Sequence, residues 1–285
     1  MLHTLGLRDI LVRRASFVTG LFHQDAPKEL TSVVYRFGTI SQPLSVDCEL
    51  DAVVGAWLIH LYTASGVVLG FLAVTSITEQ AYQRAFLLLF VATVIDSTDG
   101  FLARRFRVSE KLPWFNGALL DNLVDYVTYV FVPVLLVSYA SLVPASVTVP
   151  ICAAMLLASA YGFSQSAAKT DDHFFTGFPS YWNIVVFYLY IANWPLVINA
   201  VVLIVFVILV FVPLKYIYRS KTVTLRRTTI TLGIVWTAII LVLVLQLSTG
   251  VSRILFWSSF IFPVYYLLVS CFTHFRLHQV GADAE

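Results

Sequence analysis

The stretch Asp96-Ser97-Thr98-Asp99-Gly100-Phe101-Leu102-Ala103-Arg104, followed after twelve residues by Gly117-Ala118-Leu119-Leu120-Asp121-Asn122-Leu123-Val124-Asp125, decides how the rest of the chain reads. Its flanks are apolar enough for a bilayer, yet it carries four aspartates in two pairs, three and four residues apart. Residues at those spacings share one face of an α-helix. Two adjacent helices joined by the charged segment Arg104 to Lys111 therefore bring four carboxylates to a common point. Such a cluster is costly, because like charges repel in a medium of low polarity and each carboxylate has lost its water. Something positive must sit among them, and divalent cations that prefer oxygen ligands, Mg²⁺ or Mn²⁺, are the natural candidates. The blander alternative is that these aspartates cap helices or pair with Arg104, Arg105 and Arg107. Four acids at this spacing, with Gly100 and Gly117 set among them, favour the cation site.

Composition places the stretch in a membrane. With 59% hydrophobic residues, 12% charged residues and a mean hydropathy of +0.85, the chain lies far outside the range of soluble domains. The expected fold is an all-α polytopic membrane protein of a single membrane domain, residues 51–285, preceded by a cytoplasmic, membrane-surface segment over residues 1–50. In that segment Leu5, Leu7, Ile10, Leu11 and Phe17 alternate with Arg8, Arg13 and Arg14, which suits a helix lying on an anionic surface. No continuous apolar core with a cleavage site marks a signal peptide. Cys48, Cys152 and Cys271 show no metal or redox spacing and read as small buried side chains. The net charge of +2 is uninformative until its distribution is considered, and no nucleic-acid partner is expected.

A spanning helix needs about 20 apolar residues, and about eight such segments are expected. The first four run from Ala52 to Thr75, Tyr82 to Leu102, Gly117 to Ala140 and Ala145 to Ser166. Residues Pro179 to Leu214 are too many for one span and are broken by Asn193-Trp194-Pro195, which predicts a short fifth helix and a sixth. The seventh covers Thr228 to Gln246 and the eighth Ile254 to Phe272. Basic residues favour cytoplasmic loops. This count puts Arg104 to Lys111, Lys169, Lys215 to Arg227 and Arg276 inside, with Arg84 and Arg253 outside. The aspartates then sit at the cytoplasmic membrane boundary.

Small residues on the aspartate faces, Gly100, Ala103 and Gly117, leave room for a flat or bulky group such as a base and its diphosphate, and equally allow close helix packing. The arrangement Asp96-x-x-Asp99-Gly100-x-x-Ala103-Arg104, then Gly117-x-x-x-Asp121-x-x-x-Asp125, resembles the signature of the CDP-alcohol phosphotransferases. These integral membrane enzymes move a phosphatidyl or similar group from a CDP-linked donor to an alcohol and release CMP. The twelve-residue interval is similar to that of the bacterial phosphatidylcholine synthase subgroup. Similar to that subgroup too are His60-Leu-Tyr-Thr63-Ala-Ser-Gly66, Phe175-Thr-Gly177-Phe178-Pro179-Ser-Tyr181-Trp182-Asn183 and Val124-Asp125-Tyr126-Val-Thr-Tyr129-Val-Phe-Val-Pro133. Ser97, where a glycine is expected, departs from the pattern and leaves the motif intact. The likeness covers His60 to Tyr218 well, the last two spans loosely and the first 45 residues not at all.

The resemblance implies a metal-dependent enzyme of the bacterial inner membrane with its site on the cytoplasmic side, using CDP-diacylglycerol and choline among membrane lipids. It implies that Asp96, Asp99, Asp121 and Asp125 hold Mn²⁺ or Mg²⁺, and that Asp125 is the general base for the incoming hydroxyl. It further implies that Thr63, Gly100, Ala103, Arg104 and Gly117 shape the CDP site. Choline's quaternary ammonium cannot donate hydrogen bonds, so aromatic faces are expected to recognise it. The candidates near the aspartates are Tyr126, Tyr129, Phe178, Tyr181 and Trp182, with Asn183, and an aromatic interfacial belt is the competing reading for each ring. His60 is read either as a site residue or as a helix-to-helix hydrogen bond. A homodimer is a further expectation of the resemblance.

Two alternatives are weighed. A different acceptor, such as serine, inositol or glycerol phosphate, would put an anion in the site, and the spans carry no extra Arg or Lys beyond the joint. A transporter would show matching broken helices in two halves, whereas here the acids gather at one edge and the halves do not match.

Overall fold

The computed structural model describes residues 46–165, 174–212, 215–217, 226–266 and 268–269. The surface segment expected before residue 46, and Lys169, Arg219, Lys221 and Arg276, lie outside the described residues. What is described is helical, as composition requires, apart from two strands of three residues each.

Helix α1 (Val46–Thr78) is followed by α2 (Tyr82–Arg105), the single turn α3 (Val108–Lys111) and α4 (Gly117–Asp125). A π-helical turn, Tyr126–Phe131, continues α4 into α5 (Val132–Tyr139). Then come α6 (Thr148–Ser164), β1 (Phe174–Thr176), α7 (Trp182–Ala192), α8 (Leu196–Phe211), β2 (Lys215–Ile217), α9 (Arg226–Leu245) and α10 (Arg253–Ser258). Among the described residues five stretches are long and apolar enough to cross a membrane: Ala52–Thr78, Tyr82–Arg105, Gly117–Tyr139, Ala145–Ser164 and Arg227–Leu245. They coincide with the expected first, second, third, fourth and seventh spans.

Over the described residues the other three are shorter than a full span. The turn expected at Asn193 is present: Asn193 takes a left-handed conformation with φ 49°, which Asn tolerates better than most residues, and Pro195 precedes the first turn of α8. Strands β1 and β2 pair antiparallel, Phe174 with Ile217 and Thr176 with Lys215, so both ends of the α7–α8 hairpin lie together. Residues 177–181 reach α7 as irregular backbone, which leaves α7 only 11 residues. The last expected span is interrupted by a turn at 259–260 and resumes over 261–266.

The third span departs from a plain helix for a reason visible in its sequence. Pro133 has no N–H to offer the carbonyl of Tyr129, and its ring would collide with that carbonyl in an α-helix. The wider π turn over Tyr126–Phe131 relieves this, and the N–H of Val132 reaches the carbonyl of Val127.

Side chains at the core are wholly enclosed, with Trp182, Met155, Leu136, Val130 and Leu203 at 0% exposure, while Val149, Leu157 and Ile254 are more than 70% exposed. Large apolar groups turned outward on this scale suit lipid, not water. Helices approach closely where glycines allow it. A Cβ on Gly66 would lie 2.6 Å from Val124 Cγ1, and one on Gly70 2.9 Å from Val127 Cγ1, so α1 presents a small-xxx-small face to α4 and the π turn. Polar ties fix the far end: Gln83 Nε2 donates to the carbonyls of Val244 (3.1 Å) and Leu245 (2.9 Å) at the end of α9. Asn199 Nδ2 likewise donates to the carbonyl of Leu142 at 2.9 Å.

Gly177 carries the chain into α7 with φ +90°, and a Cβ there would stand 2.3 Å from the carbonyl oxygen of Val210. Gly177→Ala is therefore expected to cost about 1–3 kcal/mol, the usual size of backbone strain at such positions, and to lower the melting temperature of the detergent-solubilised protein. Gly55, with nothing within 4 Å of its added Cβ, is the control. Gly55→Ala should leave the melting temperature unchanged or raise it by the helix preference for alanine.

Candidate active site

Helix α2 delivers Asp96 and Asp99, and α4 delivers Asp121 and Asp125 after the joint over residues 106–116. The joint is held against α1 by a small apolar cluster in which Val108 and Leu112 meet Ala56 and Ile59. The first turn of α4 is capped by Asn116, whose Oδ1 accepts the N–H of Leu119 at 3.0 Å. These contacts set the start of α4 beside the end of α2.

As the spacing requires, the acids converge. Carboxylate oxygens of Asp96, Asp99 and Asp121 lie within 4.8 Å of one another, and Asp99 is buried. Asp125 faces Asp96, Asp121 and Asp99. Its Oδ1 is buried without a hydrogen-bond partner, a state that costs on the order of 1–3 kcal/mol or more for a charged group. Among the described residues Arg84 pairs with Glu79 and Arg107 with Glu110, and the charge of Arg104 acts on Asp99 without an ion pair to it. Three convergent carboxylates with an orphaned fourth oxygen fit an oxygen-seeking divalent cation and a ligand that completes its shell.

Around this centre Tyr129 donates its hydroxyl to Asp96 Oδ2 at 2.7 Å, from within the π turn. Thr63 is buried beside Asp99. The Arg104 guanidinium folds back over Gly100, where a Cβ would be 3.2 Å from Nη1. Ala103 packs against the small cluster of the joint. Gly117 faces the His60 ring.

The aromatic candidates divide. The rings of Tyr129 and Tyr181 are 5.5 Å apart; Tyr181 is 38% exposed, and Tyr129 is buried behind it next to Asp96. Tyr126 instead points to α6, donating to the carbonyl of Leu156 at 3.1 Å and meeting Phe163. Phe178 packs on Trp182 and Phe206, and Trp182 is fully buried with Nε1 donating to Ser159 Oγ at 2.7 Å. Asn183 Nδ2 donates to Thr93 Oγ1 at 3.0 Å, one turn before Asp96, which ties α7 to the back of the acidic centre.

Two features were not drawn from sequence. Tyr62 and Thr98 share a 2.8 Å hydrogen bond that joins α1 to α2 between the paired acids. Trp57, His60, Trp114 and Phe115 form a ring cluster over the start of α4, with His60 4.4 Å from Phe115 and 5.9 Å from Trp57. The signal was present in α1, where His60, Thr63, Gly66 and Gly70 recur at helical spacing on one face.

Comparison with known proteins agrees with this geometry. The chain is 44% identical over 180 residues to a phosphatidylcholine synthase of Legionella pneumophila, covering 63% of this chain and 71% of that one. It is 36% identical over 222 residues to a phosphatidylcholine synthase of Borreliella burgdorferi, covering 78% of this chain and 95% of that one. A third, from Mesorhizobium japonicum, is 36% identical over 183 residues, 64% of this chain and 68% of that one. The family model for CDP-alcohol phosphatidyltransferase matches residues 57–265, which takes in both aspartate pairs and every helix that supports them. With that match over most of its length, the chain belongs to the CDP-alcohol phosphatidyltransferase family.

Proposed function

We propose that the protein is a phosphatidylcholine synthase that condenses CDP-diacylglycerol with choline and releases CMP. The observation that carries the reading is the meeting of Asp96, Asp99 and Asp121 within 4.8 Å, with the unpartnered Asp125 Oδ1 beside them. The naming of the similar proteins as phosphatidylcholine synthases supports the choice of acceptor.

Asp96, Asp99 and Asp121 would hold the cation, Mn²⁺ or Mg²⁺, with Asp125 at its edge. When bound, the ion offsets the negative charge of the donor diphosphate. Asp125 is the general base. Its carboxylate takes the proton of the choline hydroxyl as that oxygen bonds to the phosphatidyl phosphorus, and the bond from phosphorus to CMP breaks. Tyr129, by donating to Asp96, fixes one carboxylate so that its remaining lone pairs face the centre. Thr63, Gly100, Ala103 and Arg104 border the nucleotide side, where the exposed Arg104 guanidinium meets the diphosphate. The exposed Tyr181 ring, backed by the buried Tyr129, faces the trimethylammonium group, which an aromatic surface attracts without a hydrogen bond. Tyr126, Phe178 and Trp182 act through helix packing.

The distribution of charge supports one side of the membrane. The site lies at the end that carries Arg104, Arg105, Arg107, Lys111, Lys215 and Arg227, while Arg84 and Arg253 lie by the opposite loops. The excess supports a site on the cytoplasmic side, in keeping with a bacterial inner membrane.

Purified protein should release CMP from CDP-diacylglycerol with choline, and not with serine, inositol or glycerol 3-phosphate; turnover with serine alone would end the choline assignment. Chelation should abolish release, and Mn²⁺ or Mg²⁺ should restore it. Asp125→Asn should slow release about 10²- to 10⁴-fold, the usual contribution of a general base, while leaving binding of CDP-diacylglycerol intact. Tyr181→Ala should raise the KM for choline about 5- to 30-fold, matching a cation–π contribution of about 1–2 kcal/mol, with little change in the KM for the donor.

A further inference from the structure

Resting on the enzyme reading above, we propose that His60 is a positioning residue, and that position 117 must be glycine because the His60 ring is seated there. The usual account of a glycine beside a phosphate site is that it lets the ligand approach the backbone. In this structure the space is filled from the protein side. A Cβ on Gly117 would stand 2.7 Å from His60 Cε1, 3.4 Å from Nδ1 and 3.8 Å from Nε2. The first of these distances is shorter than real side chains permit, and the ring has little freedom to yield. Phe115 stands 4.4 Å away and Trp57 5.9 Å away, and the residue is 8% exposed.

The hold is one of shape. His60 Nε2 is buried with no hydrogen-bond partner, so no bond from that nitrogen anchors the ring, and packing ties it to the first turn of α4. Besides the apolar cluster of the joint and the Asn116 cap, that turn has local bonds, the N–H of Gly117 to the carbonyl of Phe115 at 3.1 Å and the N–H of Leu120 to the carbonyl of Asn116 at 3.2 Å. Neither bond sets where the turn sits relative to α2. Asp121 follows Gly117 by one helical turn and must lie within 4.8 Å of Asp96 and Asp99. A displacement of about 1 Å at such a centre costs about 10²-fold in rate. His60 thus sets the distance between the two aspartate pairs at the open end of the site, as Gly66 against Val124 does at the level of Asp125.

A double-mutant cycle over Gly117→Ala and His60→Ala tests this. Gly117→Ala alone should lower kcat by tenfold or more and raise the Mn²⁺ concentration that gives half-maximal rate. With the ring removed, in the His60→Ala background, the same change should cost less than twofold. His60→Asn, shorter than the ring and still polar, gives a second background should His60→Ala fail to fold, and the same relief is expected there. The rise in melting temperature caused by Mn²⁺, measured on the same four proteins without donor or acceptor, reads the acidic centre directly. An enzyme inactive with choline but showing this coupling would therefore defeat the function and leave the seat standing. Equal losses from Gly117→Ala in both backgrounds, by rate and by Mn²⁺-induced stabilisation, would overturn the proposal and return Gly117 to the ligand.

Discussion

Four carboxylates gathered at the edge of a membrane are the constraint on which the rest of this structure depends. Isolated, each would be expensive to bury, and together they repel. Of the cations nearby, Arg104 folds over Gly100 and acts on Asp99 by charge without pairing with it, and Arg107 pairs with Glu110. The fold concentrates the cost at one point and partly orders it, through the Tyr129 hydroxyl on Asp96 and Thr63 beside Asp99. The remaining valence, including the buried Asp125 Oδ1, is what a cation and a phosphorylated ligand would satisfy. A protein that gathers carboxylates in this way trades stability in the free state for binding strength in the loaded one.

The scaffolding around that point works by close approach. Gly66 and Gly70 admit Val124 and Val127, Gly117 admits His60, and a buried amide on α7 reaches Thr93 behind the acids. In lipid there is little hydrophobic drive to bring helices together, so packing of small faces and a few interhelical hydrogen bonds must do it. The geometry of the acids is therefore set in large part by residues that carry no charge, several of them on α1 and α7, which contribute none of the four carboxylates.

Much of this was legible in the sequence. The aspartate spacing gave the convergence, the excess of basic residues gave the reading of Asn193 as a turn, and five of the expected spans appear at their expected places. What was not legible depended on side-chain direction. Tyr126 and Tyr129 are three residues apart, close enough on a regular helix to share a face, yet one bonds to Leu156 and the other to Asp96. The π turn imposed by Pro133 changes the angular step between them. Trp182 and Phe178, aromatic and near the site in sequence, are drawn inward because Ser159 and Phe206 complete their surroundings. The role of α1 was hidden for the opposite reason, since glycine and histidine at helical spacing look unremarkable until the partner helix is in place.

The brevity of α7 and α8 bears on the lipid around them. At 1.5 Å per residue the two helices, 11 and 16 residues long, measure about 16 and 24 Å, against a hydrocarbon layer of about 30 Å. The approach to α7 does not make up the difference as free backbone, because Gly177 and Ser180 are buried and the N–H of Phe178 is bonded to Leu209. An apolar length shorter than the hydrocarbon layer is the condition under which a bilayer thins beside a protein or flanking side chains reach out to its surface. Tyr181, exposed at the start of α7, stands on that short flank.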